Sequence, residues 1–381
     1  MQQPGHCTIP SPIDVTIPMM DPAPLHHELQ AELAAAIEDV IHRGDFVLGK
    51  AVSIFEENAA SWLGVRHAIG VGSGTEALML ALRAAGVGAG DDVITTSFSF
   101  WATVEAIHHV GARPVFVDIA RDDMNIDATR IEAVITPATR AILPVHLFGQ
   151  CADMNTINTI ARKNDLVVIE DAAQAFGAAL GKRKAGSFGL AGCFSFHPAK
   201  TLGAFGDGGL VVTDDPVVAR AVRELRNHGA GAHHHHSAFG YNSRLDSLQA
   251  AVLGVKLKHL DAHLAERRRL ASEYTRLLKD EALTLPQVLP EREHAFALYT
   301  VLTDKRDRLQ ERLREAGVAS AVHYPMPLYR QPAWENEYGD MRLPVAESVS
   351  ERCLSLPLYY GLDAQRRQRV VAVIRDSTRC S

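Results

Sequence analysis

The chain has 381 residues, which is enough for one large and one smaller domain. Its formal net charge of -6 gives no electrostatic reason to expect nucleic acid or an anionic membrane as a partner, so a phosphate group must be held by local donors. Its five cysteines are scattered without C-x-x-C spacing, which argues against a disulfide framework or a structural zinc site and favours a reducing cytoplasm.

The first segment, residues 1–20, holds four prolines and little periodicity, and we interpret it as an extended N-terminal arm. It holds no Lys or Arg and no long apolar run, which predicts no signal peptide. The sequence contains no stretch of about 18 apolar residues, so we predict no membrane-spanning helix. Beyond the arm, apolar spacing predicts helices over residues 24–43 and 55–63.

From residue 67 onward, strands alternate with helices. Short apolar runs predict strands at residues 67–71, 91–97, 113–119, 141–145, 166–171, 191–196 and 209–213. Helical spacing occurs between several of them, at residues 76–85, 102–110 and 154–163. Such alternation requires crossover connections, so we expect an α/β fold with a mostly parallel sheet that is covered by helices on both faces.

The C-terminal part begins with a long, charge-rich helical pattern over residues 244–279, typical of a helix that bridges two domains. A strand at 296–303, a helix at 306–317 and a strand at 320–325 follow. The sequence therefore predicts a large domain over residues 21–255 and a smaller α/β domain over residues 256–381.

Two motifs carry possible chemistry in the first half of the chain. Gly72, Ser73, Gly74 and Thr75 lie between a predicted strand and a predicted helix, where free N–H groups suit a phosphate. The alternative is an ordinary tight turn with Thr75 as the helix cap. Asp171 ends the apolar run LVVIED, at a strand end where ligands of parallel sheets bind. The alternative role for Asp171 is also that of a helix cap.

Lys200 follows the apolar segment SFHPAK and precedes a Gly-rich stretch. A lysine that is buried beside a cofactor has a lowered pKa and becomes a nucleophile. The alternative for Lys200 is that it is a solvated surface lysine. A phosphate cradle, a carboxylate at a strand end and a lysine are together the parts that pyridoxal phosphate needs.

Beyond these parts, the chain resembles the DegT/DnrJ/EryC1/StrS family of sugar aminotransferases, a branch of the fold-type I aspartate aminotransferase superfamily. The resemblance runs from about Asp45 to the C-terminus and rests on the ordered stretches FVLGKAVSIFEE, GVGSGTEAL, SFSFWAT, PVHLFGQCADM, VIEDAAQAFGA, SFHPAKTLGAFGDGG, GYNSRLDSLQAAVL and VHYPMPLYRQPA. It implies a fold-type I transferase with a mostly parallel seven-stranded sheet in the large domain and pyridoxal 5'-phosphate as cofactor.

The resemblance also implies roles for residues around the cofactor ring. Lys200 is expected to be the Schiff-base lysine and proton carrier, and Asp171 to pair with the pyridinium nitrogen. Gln174 is expected to contact the ring hydroxyl oxygen. Phe100 is expected to stack on the ring, with plain core packing as the alternative. His197 is expected to orient the lysine segment.

Further roles concern the phosphate and the substrate. Gly74, Thr75 and Ser195 are expected to contact the phosphate. Asn242 resembles an asparagine that reaches it from the neighbouring subunit, which implies a homodimer with shared active sites. Arg244 either contacts substrate or forms a salt bridge at a helix start. Two more residues, His323 and Tyr324, are expected to touch the sugar nucleotide, with a structural role as the alternative.

The histidine run at residues 233–236 is interpreted as a loop without a metal, because four adjacent histidines cannot all face one ion from a regular element.

The predicted reaction is transamination from L-glutamate to a nucleotide-linked keto sugar. Some relatives carry histidine at the lysine position and are dehydratases, but this chain has Lys200. Asp207 in GDGG resembles relatives that aminate carbon 3, some on UDP-linked and others on dTDP-linked sugars. The alternatives are a 4-keto sugar aminotransferase, a cofactor-dependent dehydratase or epimerase, and a non-enzymatic cofactor-binding regulator.

Overall fold

The computed structural model describes residues 17–232 and 235–379. Its strands are β1 (His67–Val71), β2 (Asp92–Thr96), β3 (Arg113–Val117), β4 (Thr139–Leu143), β5 (Val167–Asp171), β6 (Ala179–Leu180), β7 (Arg183–Lys184), β8 (Ala191–Ser195), β9 (Gly209–Thr213), β10 (Ala230–Ala232), β11 (His235–His236), β12 (Arg292–Glu293), β13 (Tyr299–Leu302) and β14 (Cys353–Leu356). Its α-helices are α1 (Ala23–Glu28), α2 (Gln30–Arg43), α3 (Lys50–Leu63), α4 (Gly74–Ala84), α5 (Ala102–His109), α6 (Met154–Lys163), α7 (Pro216–Leu225), α8 (Ser247–Lys258), α9 (Leu260–Leu278), α10 (Arg306–Glu315), α11 (Glu335–Tyr338), α12 (Pro344–Arg352) and α13 (Ala364–Arg379).

Seven strands form the central sheet, in the order β1-β9-β8-β5-β4-β2-β3. Neighbouring strands from β8 to β3 pair in parallel, whereas β9 runs antiparallel to both β1 and β8. The predicted α/β fold with a mostly parallel seven-stranded sheet is confirmed.

Each face of this sheet carries its own core, because alternate strand residues point to opposite sides. On one face, Val93 and Ile169 pack with residues of α4, α5 and α7. On the other, Ile94 and Val168 pack with residues of α3, α6 and α8. A third cluster joins α9, α10 and α13 to β13 and β14 and includes Ile17, the first described residue. The division into domains at residues 255 and 256 stays a prediction.

Three predicted elements differ from the structure. The helix expected over residues 24–43 is divided at Leu29, and the one expected over 244–279 begins at Ser247 and is divided at His259. The strand expected at 320–325 is wrong, since only an isolated bridge joins Ala321 to Ser355. Pro325, the last residue of this segment, has no N–H to donate to a ladder.

The expectations for the N-terminal arm and for membrane spans are met by the described residues only in part. Residues 1–16 of the predicted arm lie outside the described residues, and Ile17 pairs with Val318 in a parallel bridge. Within residues 17–232 and 235–379, no helix combines the length and the apolar character needed to cross a bilayer.

Candidate active site

A cavity of about 510 Å³ opens where the carboxyl ends of β1, β2, β5 and β8 approach one another. Binding at this edge is the rule for parallel sheets. The cavity brings together most of the predicted site residues, namely Gly74, Thr75, Phe100, Asp171, Gln174, Ser195, Lys200, His323 and Tyr324. His197 and Asp207 also line it.

The turn between β1 and α4 forms a tight cradle on one side of the cavity. Ser73 caps α4, because its Oγ accepts a hydrogen bond from Glu76 N at 3.2 Å. The alternative that Thr75 is the cap is therefore wrong. A Cβ on Gly74 would lie 2.7 Å from Cβ of Ser195, so only glycine fits where α4 meets β8. The N-terminus of α4 thus faces the cavity with free donors that suit a phosphate.

Asp171 lies at the end of β5 and is buried, with 5% of its surface exposed. Its Oδ2 accepts a hydrogen bond from Thr103 Oγ1 at 2.8 Å, and its Oδ1 accepts one from Ala173 N at 3.2 Å. Thr103 Oγ1 also lies 3.0 Å from Ser99 Oγ. Burial raises the pKa of Asp171, although Thr103, Ala173 and Lys200 oppose that effect. No α-helix begins at Asp171 in the described chain, so the helix-cap alternative is wrong.

A fully buried pair stands directly behind this carboxylate. His146 Nε2 lies 2.7 Å from Glu170 Oε2, and His146 Nδ1 accepts a hydrogen bond from Ala152 N at 3.1 Å. The Nε2 proton is therefore the one that Glu170 accepts. Glu170 also accepts backbone hydrogen bonds from Gly186, Phe188 and Gly189. Sequence reasoning missed Thr103, His146 and the role of Glu170; a histidine placed right after the apolar run AILPV was the available signal.

Lys200 is half-buried and lines the cavity, so the alternative of a solvated surface lysine is wrong. Burial lowers the pKa of Lys200, and the nearby Asp171 carboxylate partly offsets this. Its backbone N donates to the carbonyl of His197 at 2.8 Å, and His197 Nδ1 accepts a hydrogen bond from Ala199 N at 3.2 Å. The His197 ring thus holds the segment that carries the lysine.

Aromatic and amide side chains also line the cavity. Gln174 Nε2 donates to Tyr324 OH at 3.1 Å, and Gln174 Oε1 accepts from Phe148 N at 2.8 Å. Phe100 is 55% exposed and its ring lies 6.2 Å from that of Tyr324, so plain core packing is the wrong alternative for it. His323 Nδ1 lies 2.9 Å from Ser355 Oγ.

Two predicted residues lie outside this cavity in the single chain. Asn242 is exposed and forms a backbone bridge with Asn227. Arg244 Nη1 donates to Asn227 Oδ1 at 3.1 Å, and no ion pair to Arg244 occurs within the part of the chain that the structure describes. Their roles toward a neighbouring subunit stay predictions.

The histidine run is described only in part, because residues 233–234 lie outside the described residues. His235 and His236 form the short strand β11, and His236 Nδ1 lies 2.9 Å from the carbonyl of His228. Over residues 17–232 and 235–379, no group of His, Cys, Asp and Glu has the arrangement of a metal site.

A lysine, a buried acid and a helix N-terminus on one cavity define the class of enzymes that use pyridoxal phosphate. The sequence profile of the DegT/DnrJ/EryC1/StrS aminotransferase family matches residues 27–375. The chain therefore belongs to the DegT/DnrJ/EryC1/StrS aminotransferase family.

Two individual relatives are similar to this chain over nearly its whole length. The UDP-N-acetyl-3-dehydro-alpha-D-glucosamine 3-aminotransferase of Acidithiobacillus ferrooxidans is 44% identical over 95% of this chain and 98% of its own. A protein of Geobacillus stearothermophilus called a pleiotropic regulatory protein is 43% identical, again over 95% of this chain and 98% of its own.

Solved structures agree as well. DesV of Streptomyces venezuelae, in complex with a ketimine intermediate, is 41% identical with a TM-score of 0.92, over 94% of this chain and 98% of that chain. NtdA of Bacillus subtilis, solved with bound cofactor PMP, is 31% identical with a TM-score of 0.86, over 92% of this chain and 82% of that chain.

The residues of the present site fit the same cofactor. Gly74 leaves a cradle that a Cβ would fill, Asp171 offers a buried carboxylate, and Lys200 offers an amine of lowered pKa on the same cavity. These are an anion site, a counter-charge for a protonated ring nitrogen, and a nucleophile.

Proposed function

We propose that the protein transfers the amino group of L-glutamate to carbon 3 of a UDP- or dTDP-linked keto sugar, with pyridoxal phosphate held at Lys200. The observation that carries this proposal is the shared cavity of Lys200 and Asp171, which places an amine and a buried acid on one site. Family membership supports the reaction type, and a 44% identical relative is a 3-aminotransferase of a UDP-linked sugar.

When bound, the cofactor supplies an electron sink that makes a proton on the neighbouring carbon acidic. Gly74, Thr75 and Ser195 would hold its phosphate at the start of α4. Asp171 would face the ring nitrogen and keep it protonated, and Gln174 would contact the ring hydroxyl oxygen. Phe100 would cover one ring face. Each of them lines the same cavity.

Lys200 is proposed as the group that binds the cofactor and then carries the proton. Its lowered pKa increases the neutral fraction of the amine near neutral pH, and a neutral amine is both a nucleophile and a base. His197 would keep the lysine segment in place through its contact with Ala199.

The substrate side of the proposal rests on His323, Tyr324 and Asp207, which line the cavity together with Lys200. Burial lowers the pKa of His323, so the ring is neutral and can donate or accept a hydrogen bond to a sugar hydroxyl. Asp207 belongs to the GDGG stretch that resembles carbon-3 aminating relatives, which favours a 3-keto over a 4-keto sugar.

We also propose a homodimer in which Asn242 and Arg244 complete the site of the neighbouring subunit. Asn242 is exposed in the single chain, and Arg244 makes its described hydrogen bond to a neutral side chain. Both are therefore available to a second copy, which symmetric assemblies commonly use to build shared sites.

The test follows the two halves of the reaction on the cofactor-loaded protein. L-Glutamate should remove the visible absorbance near about 410–430 nm and yield 2-oxoglutarate, and a UDP- or dTDP-linked 3-keto sugar should restore it. NMR of the product locates the new amine. Amination at carbon 4 would overturn the carbon-3 assignment. Turnover of sugar without an amino donor would instead identify a dehydratase or epimerase, and no response to any donor or sugar would favour a regulator.

A further inference from the structure

Two hydroxyl groups form a chain of hydrogen bonds that ends on the carboxylate of Asp171. Thr103, in the first turn of α5, donates its hydroxyl proton to Asp171 Oδ2 at 2.8 Å. Ser99 Oγ lies 3.0 Å from Thr103 Oγ1. A hydroxyl group has a single proton, and that of Thr103 is used on the carboxylate, so Ser99 must be the donor to Thr103. Donation therefore runs from Ser99 to Thr103 to Asp171.

This hydroxyl chain is shielded from water. Thr103 is 0% exposed and Ser99 is 3% exposed. Ser99 and Asp171 line the proposed active-site cavity, whereas Thr103 is fully enclosed. A hydrogen bond is stronger in such surroundings than in water, and a buried acceptor that loses its donor finds no replacement in solvent. Thr103 is thus a fixed donor to the carboxylate.

The charge on Asp171 depends on the groups that face it. Burial raises the pKa of Asp171, while Thr103, the N–H of Ala173, Lys200 and His146 all favour the charged carboxylate. Among the described residues, Thr103 is the one side chain that donates a hydrogen bond to this carboxylate. Removing that hydroxyl group would leave the burial effect less opposed.

Two further titratable groups face the carboxylate without adding charge. Burial raises the pKa of Cys193 on β8, and the Asp171 carboxylate raises it further. Burial likewise raises the pKa of Tyr324, with a smaller contribution from Asp171. Both groups stay neutral near neutral pH, so Lys200, His146 and the two hydrogen bonds are what oppose the effect of burial.

We propose that Thr103, supported by Ser99, is a positioning residue that keeps Asp171 ionised opposite the ring nitrogen of the cofactor. This role rests on the proposed function, because it concerns the cofactor proposed to bind there. A carboxylate and a ring nitrogen compete for one proton, and a donor to the carboxylate lowers its proton affinity, so the proton stays on the nitrogen. The charged ring is the electron sink on which proton removal by Lys200 depends.

The test is a pH titration of the visible absorbance of the cofactor-loaded protein without substrate. Thr103→Val replaces the hydroxyl group by a methyl group of similar shape and leaves Oδ2 without its donor. The ring then loses positive charge, and the nitrogen that joins it to Lys200 holds its own proton more tightly because repulsion has fallen. The midpoint of the titration should rise by about 1–2 pH units, as for the loss of one hydrogen bond to a charged group. The rate of the glutamate reaction should fall roughly tenfold.

Three variants separate this electrostatic role from a merely structural one. Thr103→Ser keeps the hydroxyl group and should keep the midpoint of the parent. Ser99→Ala removes only the second donor, so the midpoint should rise by less than in Thr103→Val. Thr95→Val is the matched control, because Thr95 is also 0% exposed and its Oγ1 donates at 2.8 Å, but to the carbonyl of Leu143. It loses a buried hydrogen bond of the same length and should keep the midpoint.

The outcomes distinguish this role from the proposed function. A folded Thr103→Val protein with the midpoint of the parent would overturn the role, as would an equal rise in Thr95→Val. If Thr103→Val does not fold, Ser99→Ala decides, and an unchanged midpoint there refutes the hydroxyl chain. A parent whose midpoint responds as expected but that aminates no keto sugar keeps the role of Thr103 and refutes the proposed reaction. A parent that binds no pyridoxal phosphate overturns both.

Discussion

Asp171 is held in place through both its carboxylate and its backbone carbonyl. Thr103 on α5 donates to it, and the backbone N of His146 donates to the carbonyl of Asp171 at 3.0 Å. The side chain of His146 is in turn fixed by Glu170. Because Glu170 and Asp171 are neighbours in β5, the buried pair fixes the end of the strand that carries the proposed counter-charge for the cofactor.

This arrangement makes Glu170→Gln informative. An amide would place an NH2 group where a carboxylate oxygen now accepts either from His146 and Gly186 or from Phe188 and Gly189, so at least one of these donors loses its partner. We expect the free energy of unfolding to fall by about 1–3 kcal/mol, measured by urea titration. The glutamate reaction should also slow, because Asp171 would shift.

A surface pair serves as the control for that change. Glu132 lies 2.6 Å from Lys163, with both side chains largely exposed. Glu132→Gln should leave stability and rate unchanged, since exposed pairs contribute little. A Glu170→Gln protein with the stability and rate of the parent would show that the buried pair does not position the strand end.

At the scale of elements, the site is built where α4 meets β8 and β9. Gly74 at the start of α4 faces Ser195, and a Cβ on Gly209 of β9 would lie 2.2 Å from the carbonyl of Ser73. Both contacts bring the helix N-terminus close to the strand ends. The sequence predicted this turn, because a Gly- and Ser-containing segment lies between an apolar strand and an apolar helix.

Gly74→Ala tests the cradle. The added methyl group would force α4 away from β8, and we expect the affinity for pyridoxal phosphate to fall roughly ten- to hundredfold, as for the loss of one charged hydrogen bond. Equilibrium titration of the visible absorbance measures it. In Gly254→Ala, on α8, the new Cβ meets no atom within 4 Å. That control should keep cofactor affinity and gain up to about 1 kcal/mol in stability. Unchanged affinity in Gly74→Ala would refute the cradle.

At the scale of the whole molecule, the sequence predicted the sheet because most of its strands contain short apolar runs, such as VVI in β5 and LVV in β9. It did not predict contacts between segments that are far apart. Thr103 and Asp171 are separated by 68 residues, and Lys256 and Gly203 by 53. In neither pair does the local sequence around one residue identify the residue that it contacts. The segment at 320–325 was mistaken for a strand for a related reason, since its side chains are placed by Gln174 and Ser355 rather than by a ladder.

The proposed dimer can be tested by mixing two impaired variants. Lys200→Ala damages the lysine of one subunit, and Asn242→Ala damages the residue proposed to serve the other. If sites are shared, random mixing gives hybrids with one intact site, so up to about a quarter of the parent activity should return. Recovery is followed as 2-oxoglutarate release after subunit exchange. If activity did not return although subunits had exchanged, Asn242 would contribute to the active site of its own subunit or to no active site.

The amine of Lys200 is the proposed attachment point of the cofactor, and it can be tested directly. The loaded protein can be reduced with borohydride and digested, and mass spectrometry then locates the pyridoxyl group. We predict the label on Lys200, and no label in Lys200→Met. A label on another lysine, such as Lys184 or Lys256, or a protein that binds the cofactor without any covalent link, would contradict the central claim.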